Sequence, residues 1–192
     1  MALNIEGYAI ISDNGMVADE RGIMPSSLMI EADQTFLSQG LDCASIIVHG
    51  RNSHERQPQS PHRRRLIVTH SVRTTGPTAD YPLARLWNPA GVALPEAAAE
   101  LGVTDGTVAI LGGTQLYGAF LPLYDVFHLS RIAGLEIPHG RPVFPTVPTK
   151  PPEQILTMNG LAATHRYVID AMRGVTMTTW RRRTGNGHSA PP

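Results

Sequence analysis

Four short aliphatic runs constrain this chain more than any other feature: "GYAIIS" (7 to 12), "CASIIVHG" (43 to 50), "RLIVTHS" (65 to 71) and "GTVAIL" (106 to 111). Each is too short for a buried helix, has no polar face, and runs out into glycine or a hydroxyl-rich end. A strand without a polar face must be covered on both sides, which requires a mainly parallel sheet held between helices.

The intervening segments supply those helices. Ser26 or Ser27 can cap a helix running to about Gln39, which Gly40 ends, with Leu28, Met29, Ala32 and Phe36 on one apolar face. "LPEAAAELG" (94 to 102) has proline in its first turn and glycine as its stop, and "TQLYGAFL" is a helix following Gly112 and Gly113. "LARLWNP" (83 to 89) and "DVFHLSRI" (125 to 132) read as further strands, while Asp13 to Pro25 and the proline-rich "FPTVPTKPPEQ" read as connectors. "THRYVIDAM" and "GVTMTTWRRR" alternate around "RG" and predict an antiparallel hairpin. The expectation is one α/β domain over residues 1–183: three layers and a mostly parallel central sheet with a C-terminal antiparallel hairpin. The tail 184–192, "TGNGHSAPP", has nothing to bury and is expected to be disordered.

Composition narrows the function. A chain of 192 residues at 42% hydrophobic can bury one substantial core, and its formal net charge of zero gives no overall field for nucleic acid or an anionic membrane. The single cysteine, Cys43, excludes an intrachain disulfide and has no metal-type partner spacing, so no metal is expected and a reducing, cytoplasmic setting fits. No run approaches a membrane span, and the start "MALNIEGYAIISDNG" has no signal-peptide pattern. The expected partner is a small molecule, with a homo-oligomer allowed.

Three strand ends stand out: "HGRNS", "VTHS" and "LGGTQ". Ligands of open α/β sheets collect beyond the carboxyl ends of strands, so three such ends suit one extended ligand carrying several phosphates. Alone, Gly112-Gly113 reads as a turn; it belongs to neither a Walker loop nor the G-x-G-x-x-G dinucleotide fingerprint.

Taken together and in order, "YAIISDNGMVA", "LMIEADQTFLSQ", "VHGRNSHE", "RRRLIVTHS" and "ILGGTQLYGAFLP" resemble the dihydrofolate reductase superfamily, over residues 8 to 145. That superfamily includes the riboflavin-biosynthesis reductases and dihydromethanopterin reductase. The resemblance implies a dihydrofolate reductase-like fold and a reductase carrying NADPH, or NADH, across the strand ends. On this reading Gly50, Arg51, Asn52 and Ser53 hold cofactor phosphates, and Thr69, His70, Ser71 and Arg73 hold the adenosine end. Gly112, Gly113, Thr114 and Gln115 let the pyrophosphate and nicotinamide approach backbone, and Ala9 and Ile10 lie against the nicotinamide ring. The competing readings are a solvated Arg51, a surface His70, and core roles for Ala9 and Ile10.

Reducing a C=N bond needs hydride on carbon and a proton on nitrogen, and in dihydrofolate reductases a carboxylate on the first helix serves the substrate's amino-pyrimidine edge. Glu31 and Asp33 are the local acids, and Asp33 lies nearer the apolar face, so it is the candidate catalytic and substrate-binding residue; an ordinary surface carboxylate is the alternative. The resemblance adds Phe36, Ser130 and Arg63 as substrate contacts, with Arg63 drawn from the cluster "HRRR". Where folate enzymes read M-P-W, this chain reads "GIMPSSL", so a modified substrate is implied. The leading expectation is therefore reduction of a 7,8-dihydropterin at C6, dihydromethanopterin before dihydrofolate. A riboflavin-pathway reductase of a ribosylamino-pyrimidine phosphate is the alternative, and a non-catalytic nucleotide-binding module is the third reading.

Overall fold

The aliphatic runs form the centre of a nine-stranded sheet in the computed structural model, which describes residues 2–51, 59–79 and 81–183. In chain order the elements are β1 (Leu3–Ile11), β2 (Met16–Ala18), α1 (Glu31–Cys43), β3 (Ile46–Gly50), β4 (Arg65–Val68), β5 (Thr75–Pro77), β6 (Ala84–Trp87) and α2 (Leu94–Ala99). There follow β7 (Gly106–Ile110), α3 (Thr114–Phe120), β8 (Val126–Ile132), β9 (Arg141–Pro142), α4 (Pro152–Met158), β10 (Leu161–Asp170) and β11 (Val175–Arg182). The large sheet has the order β10-β11-β8-β1-β7-β3-β4-β6-β5. Its inner six strands, β8 to β6, pair in parallel, and the edge pairs β8–β11, β11–β10 and β6–β5 are antiparallel.

Val48, Leu66, Val108 and Ile110 are fully buried on these inner strands, each contributing about 1.5–3 kcal/mol of transfer free energy. Leu94, Ala97 and Ala98 of α2, Leu116, Tyr117 and Phe120 of α3, and Ile155 and Leu156 of α4 join them in the main core. A smaller cluster, Tyr8, Leu41, Ile47 and Ala109 with Phe36 and Leu37, seats α1 on the sheet. The three-layer, mostly parallel arrangement and the terminal hairpin agree with the sequence expectation; residues 184–192 lie outside the described residues.

Four local expectations need correction. The helix expected from Ser26 is only one 3-10 turn at Ser26–Leu28, and α1 starts at Glu31 and runs through Gly40 to Cys43. Leu28 and Ile30, each 1% exposed, anchor the entry segment in the core, while Met29 and Ala32 are exposed instead of forming the apolar face. Gly40 is a packing residue and not a stop, since a Cβ there would lie 2.8 Å from the Tyr8 hydroxyl. Next, the connector after Asp13 holds β2, which pairs with β9 across more than 120 residues, a contact that a three-residue run does not announce. The prolines of "TKPPEQ" start α4 instead of breaking the chain: Pro151 is its N-cap and Pro152 its first residue, where a missing N–H costs nothing. Finally, β5 is an unanticipated edge strand of three residues.

Candidate active site

The carboxyl ends of β3, β4 and β7 are fastened side by side by backbone. Gly50 N–H donates to the Gly112 carbonyl at 3.0 Å, Leu111 N–H to Val48 at 2.9 Å, and Thr69 N–H to Trp87 at 2.9 Å. Thr69 is buried; its hydroxyl accepts the Ser71 N–H at 3.1 Å and donates to the Ser71 hydroxyl at 3.0 Å, which folds "THS" back as a tight turn. His70, Ser71 and Arg73 are exposed beyond it, as is Arg51 beyond Gly50. Asn52 and Ser53 lie outside the described residues.

The two glycines do different things. Gly112 has φ +83°, and a Cβ there would meet the Tyr117 ring at 2.3 Å, so no other residue fits. Gly113 joins it through a cis peptide, and a Cβ at Gly113 meets no atom within 4 Å. Gly112 therefore shapes the fold and Gly113 leaves backbone open to a ligand. The Thr114 hydroxyl donates to the Pro142 carbonyl, tying the start of α3 to β9, and Gln115 is exposed. This open backbone step leaves room at the end of β7 for a ligand to approach main chain.

On the other side of β1 and β7, Asp33 in the first turn of α1 is half-buried and hydrogen-bonded to Ser130 of β8. Ser130, 2% exposed, is the register partner of Ile10 on β1, so the acid, its hydroxyl support and one proposed nicotinamide neighbour come together. Burial raises the Asp33 carboxyl above the usual carboxylate range, and the Ser130 hydrogen bond opposes this only in part. Glu31 is exposed. Ala9 is half-buried on β1, and Phe36 half-buried on α1.

Tyr117 is the residue the sequence reading missed. Its ring sits against Gly112, its hydroxyl donates to the Tyr8 carbonyl, and burial together with the nearby Asp33 charge pushes the phenol up. One side chain thus joins the glycine step to the acid wall; the available signal was its place five residues after Gly112. A second group supports α1 from below. The Tyr8 hydroxyl donates to Glu6 at 2.7 Å, and the Tyr8 ring stacks on His128 with centroids 4.9 Å apart. Phe36 meets His128 edge-on at 5.1 Å. His128, with Nε2 3.8 Å from Glu6, is the main reason the Glu6 carboxyl lies below its usual range, against the opposing effect of burial.

Arg63 lies at the opposite end of α1 from the acid. Its guanidinium donates to Asp42 at 2.6 Å near the far end of α1, about 13 Å along the helix from Asp33 at 1.5 Å rise per residue. Of the other arginines in that cluster, Arg65 is buried with its guanidinium 4.5 Å from the Tyr81 ring centroid, and Arg64 is exposed. Among the described residues no group of three His, Cys, Asp or Glu is placed to hold a metal ion, and no helix is long and apolar enough to cross a membrane.

Two solved structures share this architecture. A diaminohydroxyphosphoribosylaminopyrimidine deaminase/5-amino-6-(5-phosphoribosylamino)uracil reductase from Thermotoga maritima superposes with a TM-score of 0.63 at 12% identity, over 95% of this chain and 57% of that one. The shared fold is dihydrofolate reductase-like. A riboflavin biosynthesis protein from Shewanella sp. PV-4 superposes with a TM-score of 0.64 at 19% identity, over 96% of this chain and 100% of that one. This chain therefore spans little more than half of the two-activity Thermotoga protein but the whole of the Shewanella protein. No protein-family model and no curated protein sequence matches the chain at a significant level. The glycine step and the α1 acid, linked through Tyr117, both lie at the strand ends, where this sheet type receives ligands.

Proposed function

We propose that this chain is an NAD(P)H-dependent reductase of a C=N bond, and that its substrate is a ribosylamino-pyrimidine phosphate in place of the dihydropterin first expected. The observation that carries the reductase reading is the half-buried Asp33, bonded to Ser130 beside Ile10 and linked through Tyr117 to a backbone step that leaves space at Gly113. The bound cofactor would supply the hydride.

The chain's own residues supply orientation and the proton. A ribosylamine opens to an imine; hydride adds to its carbon and one proton to its nitrogen, giving the ribitylamine. Asp33 accepts hydrogen bonds from the N–H edge of the pyrimidine, and burial raises its affinity for the proton it would exchange with solvent. Ser130 fixes the carboxyl orientation, and Tyr117 keeps the two walls in register. The exposed His70, Ser71 and Arg73 favour a 2′-phosphate, hence NADPH over NADH.

Two observations support the pyrimidine substrate. Of the two solved structures, the Thermotoga protein is named as a 5-amino-6-(5-phosphoribosylamino)uracil reductase and the Shewanella protein for riboflavin biosynthesis. The arginine that would grip a folate-type carboxylate is already paired with Asp42, which removes one reason for a glutamate-bearing tail. Within "HRRR", Arg64 is the exposed cation left to meet a ribose phosphate. A 7,8-dihydropterin, including dihydromethanopterin, is the second reading, because Asp33 with Ser130 also suits a pterin's amino-pyrimidine edge. NADPH oxidation followed by absorbance with each substrate class tests this: turnover of the ribosylamino-pyrimidine phosphate is expected. Turnover of dihydropterins alone would select the second reading, and tight NADPH binding without any turnover would leave a nucleotide-binding module.

A further inference from the structure

One half-buried histidine has no role in the proposed chemistry, yet it sits under the helix that carries Asp33. Tyr8 of β1, His128 of β8 and Thr179 of β11 are register partners, in a row across three neighbouring strands. Both ring nitrogens of His128 have a partner there. Nε2 lies 3.8 Å from the Glu6 carboxylate, and Nδ1 lies 3.3 Å from the hydroxyl of Thr179, itself buried. Glu6 is held in turn by Asn4 Nδ2 at 2.8 Å and by the Tyr8 hydroxyl at 2.7 Å. The Tyr8 ring stacks on the imidazole, and the Phe36 ring meets it edge-on. A ring answered at both nitrogens and stacked on one face is confined to one orientation.

The placement matches α1 turn for turn. Ser130 stands two residues after His128, so both side chains point to the same face of β8. Asp33 and Phe36 are three residues apart on α1, so they too share a face. Consecutive turns of α1 are thus met by one strand, Asp33 by Ser130 and Phe36 by His128. We infer that His128 is a positioning residue: its ring, fixed by Glu6 and Thr179, seats Phe36 and so sets where Asp33 stands in the substrate site. The carboxylate beside Nε2 selects the tautomer with its proton on that nitrogen, which leaves Nδ1 to accept from the Thr179 hydroxyl. The kinetic consequence rests on the reductase reading of the site; the tautomer and the seating of α1 do not.

Thr179→Val is the first test, because it removes the hydroxyl, keeps the shape, suits a strand and changes no residue of the proposed site. Substrate KM should rise about three- to tenfold with kcat and NADPH affinity near the wild-type values, and Thr179→Ser should restore it. His128→Phe keeps a ring and loses both nitrogens, and should raise KM at least as much. Two further readouts need no substrate. At about pH 9, where imidazoles are uncharged, NMR of the wild-type ring should find the His128 proton on Nε2. Thr179→Val should also speed amide hydrogen exchange from Gln34 to Leu37. An Nδ1-protonated ring, unchanged exchange in Thr179→Val, or a wild-type KM in His128→Phe each overturns the proposal. If neither substrate class is turned over, the reductase reading falls, and the tautomer and the exchange rates still decide the role of His128.

Discussion

The strand ends at Gly50, Thr69 and Gly112 hold their shape with backbone, whereas the α1 wall opposite holds its shape with side chains that reach across the sheet. On the first wall, main-chain bonds tie β3 to β7 and β4 to β6, and the residue that makes room for a ligand has no side chain at all. On the second, Asp33 depends on Ser130, Phe36 on His128, and Gly40 on the Tyr8 ring that packs under it. A wall made of backbone tolerates change only where glycine is not required. A wall made of side chains can be retuned piece by piece, which is how one fold takes different substrates.

The largest effect should come from separating the two glycines. Gly112→Ala forces a side chain onto the Tyr117 ring at a positive φ, and is expected to cost about 3 kcal/mol or more and to abolish cofactor binding with the fold. A Cβ at Gly113 meets no protein atom within 4 Å, and its φ of −79° suits any residue; as the N-cap of α3, Gly113→Val costs about 1 kcal/mol. NADPH affinity by fluorescence titration should nevertheless fall about 10- to 100-fold. If Gly113→Val binds NADPH like the wild type, the backbone wall is not the cofactor wall.

Asp33→Asn comes next, and it acts on the other wall. The rate of NADPH oxidation at low substrate should drop about 10²- to 10³-fold with cofactor affinity unchanged. Stability should move the opposite way. A carboxyl whose pKa is raised by folding contributes stability that is full below its unfolded pKa and is lost as pH rises through the folded value. Asp33→Asn should therefore melt higher than the wild type near neutral pH, and the difference should close as pH falls below the ordinary carboxylate range. Equal melting at both pH values would mean that the acid is not buried in solution.

How much of this was visible in the residues alone follows the same division. The backbone wall was legible because its glycines and hydroxyls sit next to the strands they terminate, so "HGRNS", "VTHS" and "LGGTQ" could be read locally. The parallel core was legible for a similar reason, since aliphatic runs such as "IIV" and "RLIV" have only one comfortable environment. The side-chain wall was not. Asp33 could be preferred over Glu31 from helix geometry and Ser130 came only through the family resemblance, while Tyr117 and His128 reach this wall from elements about 90 residues away. The start of α1 was misplaced because burial of Leu28 and Ile30 outweighed the capping potential of Ser26 and Ser27. The α4 helix was hidden behind prolines that read as breakers until their place at the helix start was known.

A smaller effect tests whether Ser130 supports Asp33 as described. Its hydrogen bond favours the ionised carboxyl, so Ser130→Ala leaves burial unopposed and raises the Asp33 pKa further. If the ionised acid is the working form, the acid limb of the kcat/KM profile should move to higher pH, with little change in activity on its alkaline side. A profile that drops uniformly at every pH would point to a packing role for Ser130 instead.

Gly40→Ala should give the smallest change and the cleanest separation of the walls. Alanine gains about 1 kcal/mol of helix propensity over glycine, which by itself would stabilise α1. The new Cβ, however, would lie 2.8 Å from the Tyr8 hydroxyl. Tyr8 cannot readily swing aside, because that hydroxyl is held by Glu6 at 2.7 Å and its ring stacks on His128. The helix must shift instead, and the net cost should be about 1 kcal/mol. Because α1 carries Asp33 and Phe36 but none of the strand-end residues, substrate KM should rise a few-fold while NADPH affinity stays at the wild-type value. Equal losses in substrate and cofactor binding would show that the two walls move as one body through Tyr117, and that the division between them is structural and not functional.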